Sequence, residues 1–270
     1  MLDTSFHQGS GLHCNQPQDG LRLMVVTSPK GALKTMESLW QICRSLQSLG
    51  YPVVVLDAMA VESANAPGLQ QMLLHTPWDE YSAPACADTC ALTVIPAALG
   101  LLTLVNSAQR QGKPQQTLEP LEPIFRRYSV VVLHVPMELL TTTILMGSPT
   151  TPLLLTQPGQ TELMECYRQL KHLTMHAGLT GMVAYMLSGA NSAKEEQARE
   201  NIQALERCVM HHLGQRLRAT LVHEDHAPDL QRLALLLLEN AGAITAPSPM
   251  AWQAGTPTHL TLSSHFTQSH

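Results

Sequence analysis

Residues 27–35, TSPKGALKT, hold the side chains best suited to binding a phosphate group. A phosphate-binding loop needs converging backbone N–H groups, glycines where the chain meets the phosphates, a lysine for the terminal phosphates and a hydroxyl for magnesium. The segment keeps four residues of those types, Lys30, Gly31, Lys34 and Thr35. It lacks the glycine before the last lysine and is one residue short, and Leu33 places a branched side chain where backbone should meet phosphate. A solvated turn and helix start is the competing interpretation, which the shortened loop favours.

Two further polar residues close apolar runs of the kind that is buried on both faces of a parallel sheet. Asp57 ends the run in YPVVVLDA (51–58), and His134 ends the run in YSVVVLHVP (128–136). The carboxyl ends of parallel strands meet at one edge of the sheet, where ligands bind in this architecture. Asp57 and His134 are therefore candidates for a site at that edge, with a strand-end or helix-capping role as the structural alternative.

Three other patterns are too incomplete to assign a site. Cys86 and Cys90 form a C-x3-C without a second Cys or His pair at a ligand-like spacing. Residues 223–226, HEDH, have no defined helix that would place both imidazoles on one face, so a solvated polar turn is favoured. Neither a G-x-S-x-G elbow nor a G-x-G-x-x-G after the first apolar run is present, so a hydrolase or redox enzyme lacks support.

The elements that must position these residues alternate regularly along the chain. Apolar runs predict strands over 21–27, 51–58, 92–97, 128–136, 151–158, 179–187 and 218–225. Helical spacing predicts helices over about 36–49, 161–173, 193–213 and 229–242. The segment after residue 97 is predicted to be looser because it contains Pro114, Pro120 and Pro123. This alternation favours an α/β fold with a single, mostly parallel twisted sheet and helices on both faces.

The pattern also divides the chain into three parts. Residues 1–20 are polar and rich in Gly and Gln, and we predict a flexible N-terminal arm. Residues 21–242 form the predicted α/β domain. Residues 243–270 are rich in Pro, Thr, Ser and His without periodicity, and we predict a disordered or loosely packed tail.

Composition excludes some classes of function. A formal net charge of -5, with 14% charged residues, gives no electrostatic footprint for direct binding to nucleic acid. No run of eighteen apolar residues and no signal-type leader is present, so we expect a cytoplasmic protein without an integral membrane segment. Six scattered cysteines fit reduced thiols better than a disulfide framework.

Several segments together resemble one family. KGALKT (30–35) looks like the loop K-G-G-x-G-K-T with one residue deleted, and SLQSLGYPVVVLDA (45–58) and LTVIPAALGL (92–101) are similar to the family's second strand and V-L-P-A-G region. The family is that of the deviant Walker-A, SIMIBI-class ATPases of the MinD/ParA type, with the FlhG (FleN) flagellar-number regulators closest in pattern. The resemblance covers roughly residues 21–242. It implies a P-loop NTPase (MinD-like) architecture that binds ATP and magnesium, with Lys30 reaching across an ATP-dependent dimer.

The chain departs from this family at each part of the nucleotide site. His134 stands where the family has an acidic residue that organises magnesium and the attacking water, and imidazole is a poor substitute among hard oxygen ligands. Residues 184–186 lack the Asn that reads the base, and the loop after the last strand lacks the family's Pro. These departures favour a non-catalytic regulatory or scaffold protein without a cofactor. The alternative is a weak or unconventional Mg-ATPase in which Lys34, Thr35 and Asp57 keep the family's roles.

A short upstream segment suggests how such a protein would act. NQPQDGLR (15–22) resembles the D-Q-A-x-x-L-R segment by which FlhG-type proteins engage a signal-recognition-type GTPase, so Gln16, Leu21 and Arg22 are candidate partner-binding residues. The resemblance implies protein partners, among them such a GTPase or another polar-assembly component. Because Lys30 stands in an incomplete loop, a constitutive homodimer and a monomer are both compatible with the sequence. It also implies a role in the placement or number of flagella or another polar structure, with recruitment to the inner face of the membrane or to the pole by partners.

Overall fold

The computed structural model describes residues 20–28, 33–74, 92–189 and 192–244, and for residues 33–35 it describes the backbone alone. Gln16, Lys30, Gly31, Cys86 and Cys90 therefore lie outside the described residues, as do nearly all of the predicted arm and tail.

Seven parallel strands form one sheet in the order β3-β2-β4-β1-β5-β6-β7. They are β1 (Arg22–Thr27), β2 (Val53–Asp57), β3 (Thr93–Pro96), β4 (Val130–His134), β5 (Leu153–Thr156), β6 (Met182–Leu187) and β7 (Arg218–His223). All seven predicted strands are confirmed, and with them the mostly parallel α/β fold. An eighth strand, β8 (Gly242–Ala243), pairs antiparallel with the start of β1. It was not predicted, because a two-residue strand carries no periodic pattern.

Eight α-helices connect the strands within the described residues. They are α1 (Leu33–Ser48), α2 (Leu69–Leu74), α3 (Ala98–Arg110), α4 (Leu121–Phe125), α5 (Met137–Leu140), α6 (Gln160–His172), α7 (Ser192–Leu213) and α8 (Ala227–Glu239). The four predicted helices correspond to α1, α6, α7 and α8, with boundaries that differ by a few residues. None of the described helices has the length and apolarity needed to cross a membrane.

The sheet separates two hydrophobic cores, because successive side chains of a strand point to opposite faces. Leu23 and Val25 of β1 pack in one core with residues of α3, α6 and α7, whereas Met24 and Val26 pack in the other with α1 and α8. Both faces are covered, which explains why the strands read as continuous apolar runs rather than as alternating ones.

The segment after residue 97 differs from its prediction, because α3 is a regular helix of thirteen residues rather than a loose segment. Its buried face repeats at helical spacing, with Leu101, Leu104, Val105 and Ala108. The prolines that suggested a loose segment begin only at Pro114, after the helix has ended at Arg110. The prediction was wrong because a proline four residues beyond the last residue of a helix does not disturb the body of that helix.

Packing continues just past the predicted end of the domain. Ala243 belongs to β8, and Ile244 is buried and donates its backbone N–H to the carbonyl of Leu21. Leu21 is itself buried in the core, so this contact closes the sheet beside the start of β1.

Glu62, a buried carboxylate in the connection between β2 and α2, holds two helix starts together. Its oxygens accept the backbone N–H groups of Leu99 at 2.7 Å, Gly100 at 2.8 Å and Gln70 at 3.4 Å. These are first-turn donors of α3 and α2, which have no partner inside their own helices. The two helices approach closely, since a Cβ placed on Gly100 would lie 2.6 Å from the Cβ of Leu69. Glu62 therefore holds together the first turns of α2 and α3, the helices that follow β2 and β3.

A second polar cluster fixes the turn from β7 to α8, where the sequence contains HEDH. His223 Nδ1 lies 2.8 Å from Asp229 Oδ2 and its Nε2 lies 3.2 Å from Glu195 Oε1, while His226 Nδ1 lies 3.1 Å from Asp229 Oδ1. Hydrogen bonding to Asp229 raises the pKa of His223 against the opposing effect of burial, and Glu195 adds to the rise. Among the described residues, no group of three or more His, Cys, Asp or Glu side chains is arranged to hold a metal ion.

Replacing Glu62 should lower the free energy of unfolding, although no strand residue is changed. For Glu62→Ala we expect the free energy of unfolding to fall by about 2–3 kcal/mol, because buried N–H donors lose their acceptor. Glu62→Gln keeps one oxygen and should lose less. Urea denaturation measures both, with Glu196→Ala on the exposed face of α7 as the matched control, expected within about 0.5 kcal/mol of the parent. Equal stability of Glu62→Ala and the control would contradict this role.

The His223 cluster should make stability depend on pH. A histidine whose pKa is raised in the folded state contributes stability that is fully present below its ordinary pKa of 6.5 and is lost as pH rises through the folded value. His223→Gln should therefore cost more at pH 5.5 than at pH 9, by about 1 kcal/mol for a partly exposed ion pair. Denaturation at both pH values tests this, with the exposed His211→Gln as control. A loss that is the same at both pH values would contradict it.

Candidate functional site

The order of the strands brings three polar side chains to one place at the carboxyl edge of the sheet. β4 lies between β2 and β1, and in the registers of these pairs His134 is opposite both Asp57 and Val26. Ser28 follows the last residue of β1 directly. Ser28, Asp57 and His134 are separated by up to 106 residues in the sequence, and the parallel pairing alone places them side by side.

A continuous hydrogen-bonded chain joins these three side chains. Ser28 Oγ lies 2.8 Å from His134 Nε2, and His134 Nδ1 lies 2.9 Å from Asp57 Oδ1. Asp57 Oδ1 also accepts the backbone N–H of Met59 at 2.9 Å. The residues are nearly inaccessible, with exposed fractions of 6% for Ser28, 2% for His134 and 9% for Asp57. Both nitrogens of the imidazole thus have a partner, as buried polar groups require.

The charge on Asp57 determines the direction of these hydrogen bonds. Burial alone would raise the pKa of Asp57, but the hydrogen bonds from His134 and the Met59 amide outweigh it and hold this pKa below its ordinary value. An ionised carboxylate only accepts, so His134 Nδ1 must carry the hydrogen that it donates to Asp57. In the neutral ring Nε2 is then an acceptor, and the Ser28 hydroxyl donates to it.

Backbone hydrogen bonds also join the ends of β2, β3 and β4 to one another. The carbonyl of His134 accepts the N–H of Ala58 at 2.8 Å, and the carbonyl of Asp57 accepts the N–H of Ala97 at 2.9 Å. Ala97 immediately precedes α3, whose first turn is also held by Glu62. The side chains of Asp57 and His134 therefore extend from strand ends that are also joined through the backbone.

A cavity of about 420 Å³ opens beside Ser28. Its walls come from Ser28, from residues 136–138 at the start of α5, and from the face of α6 that carries Glu165, Arg168 and His172. Arg168 donates two hydrogen bonds of 2.8 Å to Glu165, one from Nε and one from an NH2 group. This ion pair lowers the pKa of Glu165, so the charges of these two described residues of the cavity wall compensate each other.

A second cavity of about 500 Å³ lies at the carboxyl ends of β5 and β6. Tyr185 of β6 and Asn201 of α7 line it, and Asn201 Nδ2 donates to the Tyr185 hydroxyl at 3.1 Å. Tyr185 is 1% exposed and occupies the strand in which the resemblance implied an Asn. The amide that is bonded to this tyrosine belongs to Asn201 of a helix and not to the strand.

The other predicted site residues are only partly described. Lys34 and Thr35 lie in the first turn of α1, and nothing is described of their side chains; Lys30 and Gly31 lie outside the described residues. In the predicted partner-binding segment, Arg22 is exposed, whereas Leu21 is 4% exposed and belongs to the core. Burial of Leu21 removes its side chain from the surface that a partner would meet.

Ser28 was missed by the sequence analysis, which treated it as part of the turn after the first strand. Ser28 follows a buried strand directly, so it lies at the same end of its strand as Asp57 and His134 do of theirs. The criterion that identified Asp57 and His134 could therefore have identified Ser28 as well. What the sequence does not contain is the contact itself, since the order β2-β4-β1 is known only from the sheet.

None of the cysteines in the described part of the chain lines the cavity beside Ser28. Cys43 and Cys166 are free and buried, and burial raises the pKa of each thiol to about 12. Neither is reactive as a thiolate at neutral pH. Cys208 is also free and is partly exposed.

Comparison with known proteins finds similarity in structure only. No family model matches the sequence, and no curated protein gives a significant match. Among solved structures, the MinD cell division protein of Aquifex aeolicus aligns with a TM-score of 0.52 at 13% identity, over 83% of this chain and 98% of that chain. Cobyrinic acid a,c-diamide synthase of Mycobacterium smegmatis aligns with a TM-score of 0.50 at 13% identity, over 80% and 94%.

A solved MinC:MinD complex from Aquifex aeolicus also aligns, with a TM-score of 0.48 at 14% identity, over 80% of this chain and 88% of that chain. At identities this low, similarity describes the fold and not the chemistry. The parallel sheet with helices on both faces, together with the alignment to MinD, shows that the chain has the α/β fold of the MinD-like P-loop NTPases.

Proposed function

We propose that this protein is a MinD/ParA-like regulatory or scaffold protein with a degenerate nucleotide site, which acts through protein partners rather than through an ATP cycle. The FlhG-type pattern in the sequence points the proposal toward the placement or number of flagella or of another polar structure. The observation that carries it is the hydrogen bonding of His134, whose two ring nitrogens are both bonded to buried neighbours.

Magnesium does not fit this arrangement. The ion prefers six oxygen ligands in near-octahedral geometry, usually carboxylates, waters and phosphates. At position 134 the chain offers imidazole nitrogens bonded to Ser28 and Asp57, and Asp57 Oδ1 is shared between His134 and the Met59 amide. An ion at this place would have to break a buried network, in which the bonds to the Asp57 carboxylate are worth about 1.5–3 kcal/mol each. We therefore infer that the strand ends no longer hold a magnesium nucleotide.

The second cavity supports the same proposal, because it concerns the residues that would recognise the nucleotide base. In the resembled family an Asn at this strand reads the nucleotide base, whereas here Tyr185 fills the strand position and binds Asn201. The amide group of Asn201 is thus already engaged within the protein. A replaced magnesium ligand and a replaced base reader are explained together by the loss of nucleotide use.

Without a nucleotide cycle, binding to partners would be constitutive. We extend the proposal to a signal-recognition-type GTPase or another polar-assembly component as the partner, bound through Gln16 and Arg22, because residues 15–22 resemble the corresponding segment of FlhG-type proteins. Arg22 has an exposed side chain at the start of β1. A cytoplasmic location, with recruitment to the membrane or pole by partners, and formation of a homodimer belong to the same proposal.

One observation favours the alternative, a weak Mg-ATPase that dimerises with nucleotide. Asp57 keeps an ionised carboxylate at the end of β2, because hydrogen bonds hold its pKa below the ordinary value. In this alternative Lys34 and Thr35 contact the phosphates, and Asp57 helps to hold magnesium after His134 turns away.

Titration with ATP and ADP in the presence of magnesium separates the two. We expect neither heat in isothermal titration nor a rise in melting temperature at millimolar nucleotide, because no competent site remains. A ligand at one hundred times its dissociation constant would stabilise the folded state by about 2.7 kcal/mol, which a thermal melt detects easily.

The variant Lys34→Ala tests whether any nucleotide binding depends on the shortened loop. Its control is Lys113→Ala, which replaces an exposed lysine after α3. Magnesium-dependent stabilisation that survives in Lys113→Ala and disappears in Lys34→Ala would refute the degenerate site and establish the ATPase alternative.

A further inference from the structure

We propose that Ser28 is a nucleophile activated by His134 and Asp57, and that the protein cleaves a small uncharged carboxylic ester in the cavity beside Ser28. This activity goes beyond the regulatory role and needs no nucleotide. It rests on the hydrogen-bonded chain and on the cavity next to it.

The three side chains have the arrangement that defines an activated serine. A nucleophile needs a general base within about 2.6–3.2 Å, and the base needs a third group that orients it. Ser28 Oγ is 2.8 Å from Nε2 of His134, and the opposite nitrogen of the same ring is 2.9 Å from Asp57. This is the connectivity in which serine, histidine and aspartate act as a unit, and such units are recognised by geometry rather than by sequence order. The absence of a G-x-S-x-G elbow therefore does not exclude it.

Asp57 positions the base. It accepts a backbone N–H from Met59 in addition to His134, so its carboxylate is held in place. Because it accepts through Oδ1 from Nδ1 of the ring, it leaves Nε2 facing Ser28 as the acceptor of the hydroxyl hydrogen. Burial of all three residues keeps bulk water from competing for these bonds.

The cavity indicates the class of substrate. Its volume of about 420 Å³ is within the range of small-molecule sites, about 300–1,000 Å³. Pro136 and Met137 supply an apolar wall. Among the described residues that line the cavity, the Arg168 guanidinium is compensated by Glu165 through two hydrogen bonds, and this part of the wall favours an uncharged acyl group over a carboxylate or a phosphate.

The reaction is balanced with water alone as the second reactant. Ser28 Oγ bonds to the ester carbonyl carbon while its proton passes to His134 Nε2. The bond from that carbon to the alcohol oxygen then breaks, and the alcohol leaves with the proton. Water attacks the acyl-serine in the same way, which releases the carboxylic acid and restores Ser28.

The test is covalent labelling of the full-length protein with a fluorophosphonate, followed by intact mass and peptide mapping, together with the release of p-nitrophenol from p-nitrophenyl acetate. We expect one adduct per chain, on Ser28, and an initial burst of about one equivalent of p-nitrophenol. Ser28→Ala should abolish both, and His134→Gln should slow labelling at least about 100-fold, the usual contribution of a general base.

Ser188→Ala is the matched control, because Ser188 also follows a strand directly but its hydroxyl bonds to the carboxylate of Glu224 instead of an imidazole. It should keep both the adduct and the burst. Folded wild-type protein that shows no adduct on Ser28 would overturn the proposal, as would labelling of Ser28 at the same rate in folded His134→Gln. Neither readout involves nucleotide, so a failure here is distinguishable from a failure of the degenerate-site proposal.

Discussion

The two hydrogen bonds of the His134 ring link the polar side chains that parallel pairing brings to the carboxyl ends of β1, β2 and β4. They tie the end of β4 to Ser28 after β1 and to Asp57 at the end of β2, and the backbone carbonyls of His134 and Asp57 continue the connection to Ala58 and Ala97. Because an unpaired polar group in such a place costs about 1–3 kcal/mol, the three strand ends are energetically coupled. A carboxylate at position 134 could neither donate to Asp57 nor accept a proton as an imidazole does at neutral pH.

The same constraint accounts for both proposals. In a MinD-like fold the carboxyl ends of the strands form the place where a ligand is expected. Here that place contains the His134 imidazole, which is hydrogen-bonded through both ring nitrogens. An imidazole supplies none of the oxygen ligands that magnesium needs. The same ring gives the Ser28 hydroxyl a neighbouring base. The proposed loss of nucleotide use and the proposed serine chemistry therefore rest on the same residue, His134 at the end of β4, and on the serine after β1.

Much of the fold could be predicted from the sequence, because strands covered on both faces are continuous apolar runs and their helices are amphipathic. The helix α3 was missed because nearby prolines outweighed its buried face, and β8 because it is too short to have a pattern. Asp57 and His134 were found as strand ends, but their contact depends on the strand order, which sequence periodicity does not contain. Glu62 escaped notice for a related reason, since its partners are backbone amides of helices far along the chain.

The most direct test of the account is the protonation pattern of His134, read from nitrogen chemical shifts of histidine-labelled protein near neutral pH and assigned with His134→Gln. We expect a ring that carries its hydrogen on Nδ1, with Nε2 acting as an acceptor, and resonances that do not change when magnesium and ATP are added. A hydrogen on Nε2 with Nδ1 unprotonated, or a clear displacement of these resonances by magnesium ATP, would contradict it.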